Sequence, residues 1–164
     1  MIGFRIEPAV GEHRLEQWRQ VHNTVVPPAA LSPEEVAERA GRNRLENAYA
    51  GDVLVGCSTV RPPEGEARAA TVIARVLPEF RGRGYGDALY RHALAHARGL
   101  DAGVIETCVL AVNTDGLAFA RARGFTEVER YTLDDGSDDW WVDLRLTNLG
   151  PASGNTVWAE SRSS

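Results

Sequence analysis

The chain has 164 residues, 43% hydrophobic and 25% charged, with a net charge of −5. That is the make-up of one globular domain, long enough to bury roughly 70% of the surface its unfolded chain exposes. The negative balance argues against nucleic acid as the main partner, no apolar run approaches the roughly 20 residues of a membrane span, and the start, Met1-Ile2-Gly3-Phe4-Arg5, lacks the apolar core of a signal peptide. The cytoplasm is the expected location.

Phe4 to Val10 alternates apolar and polar residues and reads as a first strand. Leu15, Trp18, Val21, His22 and Val25 make a helical stripe that Pro27-Pro28 stops, with Trp18 as a core anchor and His22 at its boundary. Ser32-Pro33-Glu34-Glu35 starts a second helix with a capping box, expected to run to about Arg44. Leu45 to Ala50 and Val53 to Val60 follow as antiparallel strands around Gly51-Asp52, and Arg61-Pro62-Pro63-Glu64-Gly65 is expected to turn the chain.

Thr71 to Leu77 is short, apolar and β-branched, a buried strand that Pro78 ends. Glycines then alternate with arginines through Phe80-Arg81-Gly82-Arg83-Gly84-Tyr85-Gly86, and from Tyr85 the apolar residues fall at helical spacing. Gly82, Gly84 and Gly86 put no Cβ in the way of a ligand, while the helix N-terminus and the guanidinium groups of Arg81 and Arg83 suit a pyrophosphate. A magnesium-binding P-loop fails, because Asp87-Ala88 stands where Lys-Ser/Thr is needed, and a dinucleotide fingerprint fits poorly, because the spacing is G-x-G-x-G.

Val104 to Leu110 is a further buried strand, and Leu117 to Arg123 a short helix that Gly124 caps. Strands Thr126 to Leu133 and Trp140 to Leu146 flank the acidic turn Asp134-Asp135-Gly136-Ser137-Asp138-Asp139, which reads as a solvated hairpin tip or as a lip that draws in a cationic amine. Cys57 and Cys108 lie in strand-like runs and read as buried free thiols. His92 and His96 have metal-ligand spacing but no third ligand, so the expectation is a solvated helix face and no metal. Thr147 to Ser164 is expected to be a flexible tail, leaving residues 1–146 as a single domain.

Two segments carry a resemblance. Val76-Leu77-Pro78-Glu79-Phe80-Arg81-Gly82-Arg83-Gly84-Tyr85-Gly86 is similar to the acyl-CoA signature of the GNAT superfamily of N-acetyltransferases, Arg/Gln-x-x-Gly-x-Gly/Ala. Asn113 through Ala120 to Gly124-Phe125 resembles the family's Asn-x-x-Ala-x-x-x-Tyr-x-x-x-Gly-Phe. The two stand in the family's order and at its separation.

The resemblance implies a mixed α/β fold: a mostly antiparallel sheet of about seven strands with splayed central strands, flanked by about four helices. It implies acetyl-CoA or another acyl-CoA as co-substrate. The pyrophosphate would lie on Arg81, Gly82, Arg83, Gly84, Tyr85 and Gly86, the pantetheine arm near Ala74 and Val76, and Asn113 and Phe119 would also contribute. The acceptor would be a small-molecule or peptide amine, with the first two helices shaping its pocket, so that Trp18 and His22 would be candidates to face it. Glu106 would be a base, or else a rim or salt-bridge carboxylate with a structural role, and Asn113 a further catalytic candidate. Where the family has its acidic tyrosine, this chain has Ala120, and position 70, near a strand glutamate of some relatives, is also alanine; Tyr131 and Tyr49 are the remaining phenols to consider. An active N-acetyltransferase and a non-catalytic acyl-CoA sensor or structural domain of a larger assembly therefore both stand, with a nucleotide-dependent oxidoreductase behind them; monomer and homodimer stay open.

Overall fold

The computed structural model describes residues 3–133 and 136–147. Among these residues are seven strands and four α-helices, in two compact units that divide between Ile105 and Glu106.

The first unit holds an antiparallel sheet in the order β1 (Phe4–Pro8), β2 (Arg44–Ala50), β3 (Val53–Glu64), β4 (Ala69–Val76). Helices α1 (Glu12–Val25) and α2 (Pro33–Ala40) cover one face, where Trp18, Val21, Leu31 and Val36 pack with Leu45 and Cys57. Helix α3 (Tyr85–Arg98) covers the other, where Leu89 packs with Ala48 and Val55. The two-residue period of a strand makes this division: Leu45 and Cys57 point one way, while Ala48 and Ala74 point the other.

The expected capping box forms, Ser32 Oγ accepting from Glu35 N and Glu35 Oε1 from Ser32 N. Helix α2 nevertheless ends at Ala40 rather than near Arg44, because Arg44 already pairs with Val60 in the sheet. β3 continues to Glu64 through the segment expected to turn, its two prolines lying where the register with β4 breaks between Arg61 and Glu64. Gly56 holds β3 against β4: a Cβ there would lie 2.4 Å from the Arg75 carbonyl oxygen, so only glycine permits this approach.

Trp18 and His22 sit within the first unit's core. Trp18 Nε1 donates to Ser58 O at 3.0 Å, and the His22 ring stacks on the indole at 5.2 Å. The Asn23 amide bonds Leu31 on both sides, its Nδ2 donating to the carbonyl and its Oδ1 accepting from the N–H, which turns Oδ1 toward His22 Nδ1 at 3.1 Å. His22 is thus fixed as the Nδ1–H tautomer. Burial first, then the Arg75 charge, pushes its pKa down to about 4.

The second unit pairs β7 (Trp140–Leu146) with β5 (Val104–Leu110) on one side and β6 (Phe125–Thr132) on the other, all antiparallel. Helix α4 (Thr114–Ala122) starts three residues earlier than the sequence reading has it, because Asn113 caps it: Asn113 Oδ1 accepts from Gly116 N at 3.0 Å. A Cβ on Gly116 would lie 2.5 Å from Asn113 Nδ2, so the glycine keeps room for the cap. Asp134, Asp135 and most of the C-terminal tail, residues 148–164, lie outside the described residues. No helix among the described residues is long and apolar enough to cross a membrane.

Two stability outcomes follow from these contacts. Between pH 6.5 and about 4 the unfolded chain protonates His22 while the folded chain resists, so His22's contribution is complete above pH 6.5 and declines as pH falls through that window, by about 3 kcal/mol. Urea unfolding at pH 7 and pH 4.5 should show a smaller difference for His22→Phe, which keeps the stack without the proton; equal pH dependence in both proteins would refute this. Asn113→Ala should cost about 1 kcal/mol while Asn113→Asp costs little, since aspartate caps as well as asparagine; two unchanged melting temperatures would mean that the cap is not stabilising.

Candidate functional site

At the end of β4 the chain passes through a 3₁₀ turn, Pro78–Phe80, into the glycine–arginine segment. Arg81 Nε donates to Val76 O at 2.9 Å and the Arg83 guanidinium lies 5.6 Å from the Phe80 ring, so both arginines are anchored beside the loop while their side chains stay exposed. Gly82 and Gly84 have φ of 79° and 87°, a region that L side chains rarely adopt, and a Cβ on Gly82 would meet nothing within 4 Å. The space over the loop is open.

Gly84 is the N-cap of α3, and no side chain caps this helix. The first-turn N–H groups and the positive end of the dipole are therefore left without a side-chain cap at the end of the loop that carries the two arginines. Tyr85 anchors this turn by stacking on Phe4 at 5.2 Å, and Asp87, the acid in that turn, is drawn to Arg91 Nε at 2.7 Å. Ala74 packs toward Leu89, and the carbonyl of Val76 is tied to Arg81. The structure thus brings Ala74, Val76, Arg81, Gly82, Arg83, Gly84, Tyr85 and Gly86 together on one strand–turn–helix unit. Open N–H groups, two guanidinium groups and absent side chains fit a pyrophosphate and the arm that follows it.

In the second unit Asn113 is a helix cap, and Phe119 is half-buried under the Arg123 guanidinium, 3.5 Å from its ring. Glu106 is paired with Arg145, whose Nε and Nη2 both donate to Oε2, at 3.0 and 2.6 Å. Ala120 is buried, so no phenol projects from α4 at that position. Tyr131 donates to Asp143 Oδ1 at 2.9 Å and lies 3.4 Å from Cys108 Sγ. Burial, then Cys108 and Asp143, push its pKa well above the usual phenol range, so it keeps its proton. Tyr49 is buried in the first unit and donates to Gln17 Oε1 at 2.6 Å.

Cys57 and Cys108 are both free, and burial pushes the Cys57 thiol up to about 11, far from a nucleophilic thiolate. His92 lies over the sheet, its Nε2 3.3 Å from Oε1 of the buried Glu46, whose other oxygen accepts from Arg44 at 3.1 Å. Among the described residues no group of three His, Cys, Asp or Glu is arranged to hold a metal.

The sequence reading does not single out Arg75, Arg39 or Arg61. Arg75 is buried on β4, where its Nη1 donates to Thr59 Oγ1 at 3.1 Å and its guanidinium lies 5.4 Å from the Trp18 ring. One signal was available, since Arg75 is the single charge inside the apolar run Thr71 to Leu77.

Comparison with known proteins agrees with this geometry. No curated protein matches the sequence. Among solved structures, a provisionally named phosphinothricin N-acetyltransferase is similar with a TM-score of 0.72 at 20% identity, covering 88% of this chain and 99% of that one. NAA60 of Arabidopsis thaliana, in complex with a bisubstrate analogue, is similar with a TM-score of 0.71 at 17% identity, covering 87% and 96%. Naa50 of the same plant, in complex with the bisubstrate analogue CoA-Ac-MVNAL, gives 0.68 at 24% identity, covering 87% and 98%. These likenesses show the shared fold. The sequence model of the acetyltransferase (GNAT) family matches residues 9–125, and the chain belongs to that family.

Proposed function

We propose that this protein is an N-acetyltransferase that moves the acetyl group of acetyl-CoA to a primary amine of a small molecule, with residues 1–146 as its acyl-CoA-binding domain. The observation that carries this reading is the open, arginine-flanked loop from Arg81 to Gly86 at the uncapped start of α3. Arg81 and Arg83 neutralise the pyrophosphate, and the backbone of Gly82 and Gly84 lets it approach the helix N–H groups. Ala74 and Val76 offer β4 backbone to the pantetheine arm, and Asn113 and Phe119 are assigned supporting contacts by the family motif.

In the transfer an uncharged amine attacks the thioester carbonyl, the C–S bond breaks, and CoA leaves as a thiolate that takes up a proton. Fixing the two reactants side by side supplies most of the acceleration, and acid–base help adds about 10²- to 10⁴-fold. Glu106 is the proposed proton acceptor, through Oε1, since both Arg145 bonds fall on Oε2. With alanine at position 120 the thiolate draws its proton from water or another group. That alanine also favours a second reading, a non-catalytic acyl-CoA sensor, which would bind the same ligand without turnover. Under either reading the protein is cytoplasmic, needs no metal, and binds neither nucleic acid nor membrane.

Acetyl-CoA and free CoA should raise the melting temperature where NAD at equal concentration does not, because a ligand that binds only the folded state stabilises it. Gly84→Asp, which places a side chain and a negative charge at φ 87°, should weaken CoA binding by at least about a hundredfold. Unchanged affinity in calorimetry would remove the loop as the site. Thiol release from acetyl-CoA with a panel of amines separates enzyme from sensor.

A further inference from the structure

The face of the sheet beneath α1 and α2 gathers positive charge. Cys57, Thr59 and Arg61 alternate along β3 and pair across to Arg75, Ile73 and Thr71 on β4, which puts Arg61 and Arg75 on one face. Arg75 is buried there against Trp18 and Thr59. Arg39 joins them from α2: it is half-buried, and Arg61, Arg75 and Arg42 act on it as like charges after burial itself, all lowering its pKa. Arg75 and Arg39 also press on His22.

Little among the described residues answers the charge of Arg39 and Arg61. Among the described residues no carboxylate forms an ion pair with Arg39 or Arg61. Glu35, the acid that acts on Arg39, is committed to the capping box, and Glu38 is held by Arg42 at 2.6 and 2.9 Å. Like charges drawn together out of water are costly unless an opposite charge joins them, and a chain of net charge −5 has carboxylates to spare elsewhere. Arg75 also stands between Ala74 and Val76, on the strand that feeds the glycine loop, so this face and the cofactor loop share one rigid element.

We infer that this face recognises an anion, and that the acceptor is an amine carrying a carboxylate, as an amino acid does. Arg39 and Arg61 offer forked donors to the two carboxylate oxygens, and Arg75 stands behind them as a fixed charge. The amine part of the inference rests on the acetyltransferase reading; the anion part does not.

The test measures binding of glutarate, a dicarboxylate without an amine, to the full chain by calorimetry and thermal shift at low salt. 1,5-Diaminopentane is the cationic control, and the variants are Arg39→Gln and Arg61→Gln. Glutarate should stabilise the wild type where the diamine does not, and each variant should lose at least about tenfold in glutarate affinity with CoA affinity unchanged. Without glutarate each variant should melt no lower than the wild type, because a repelled charge has gone, whereas an arginine with a purely structural role would lower the melting temperature. No glutarate binding, or binding that neither variant weakens, overturns the inference. With acetyl-CoA present, γ-aminobutyrate should release thiol at least about tenfold faster than n-butylamine; equal rates would overturn carboxylate recognition and leave the acetyltransferase standing. Glutarate binding without any CoA binding would do the reverse.

Discussion

Much of the first unit depends on how a buried guanidinium is accommodated. Arg75 lies in the middle of β4 with its charge inside the protein, where an unpartnered cation would cost several kcal/mol. Thr59 Oγ1 accepts one of its N–H groups, and the indole of Trp18 offers its electron-rich face. Those contacts reach into neighbouring elements. Trp18 is held in turn by its bond to Ser58 O, and His22, stacked on Trp18, is kept neutral partly by the arginine's charge. The approach of β3 that puts Thr59 in reach needs glycine at position 56, against the carbonyl of Arg75 itself.

β4 thereby serves different purposes on its two faces. Toward α3 it shows small apolar side chains such as Ala74, which let the helix pack closely and set its first turn at the end of the strand. Toward α1 and α2 it shows Arg75. The loop that joins β4 to α3 adds Arg81 and Arg83, so an acidic protein concentrates cations along one strand and its continuation. Charge placed this way attracts anionic ligands locally against the repulsion of the whole molecule, and the rigid strand fixes the spacing between the two sets.

Periodicity and punctuation made most of the architecture readable. The start of α3 at Tyr85, the strand Trp140–Leu146 and the capping box at Ser32 are each written in local sequence, and so is the glycine loop, because positive φ and absent side chains demand glycine. Element ends were harder. Arg44 ends a helical pattern in the sequence but pairs with Val60 in the sheet, a contact that no local signal encodes. Asn113 shows why motif residues are difficult to assign from sequence: the residue type that suits a ligand contact also suits an N-cap, and the bond to Gly116 N appears only in three dimensions. The arginine cluster was hidden for the same reason, since Arg39, Arg61 and Arg75 come from three elements and only Arg75 looks out of place in its own segment.

The alanine at position 120 bears on how transfer would be driven. It is buried, so its backbone position offers no room for a swinging phenol, and Tyr131, the phenol of the second unit, has its proton engaged by Asp143 and held by a raised pKa. A group that gives up its proton so reluctantly is a poor match to a thiolate, whose conjugate acid has a pKa near that of an ordinary thiol. A thiolate is also a far more stable leaving group than an alkoxide or an amide anion, so protonating it late, from water, costs little in the barrier. What the reaction then requires of the protein is position: an acyl donor held by its pyrophosphate on the glycine loop and an acceptor held by its own charge. The proposed loop site and the proposed arginine face, joined through β4, would meet that requirement without a dedicated general acid.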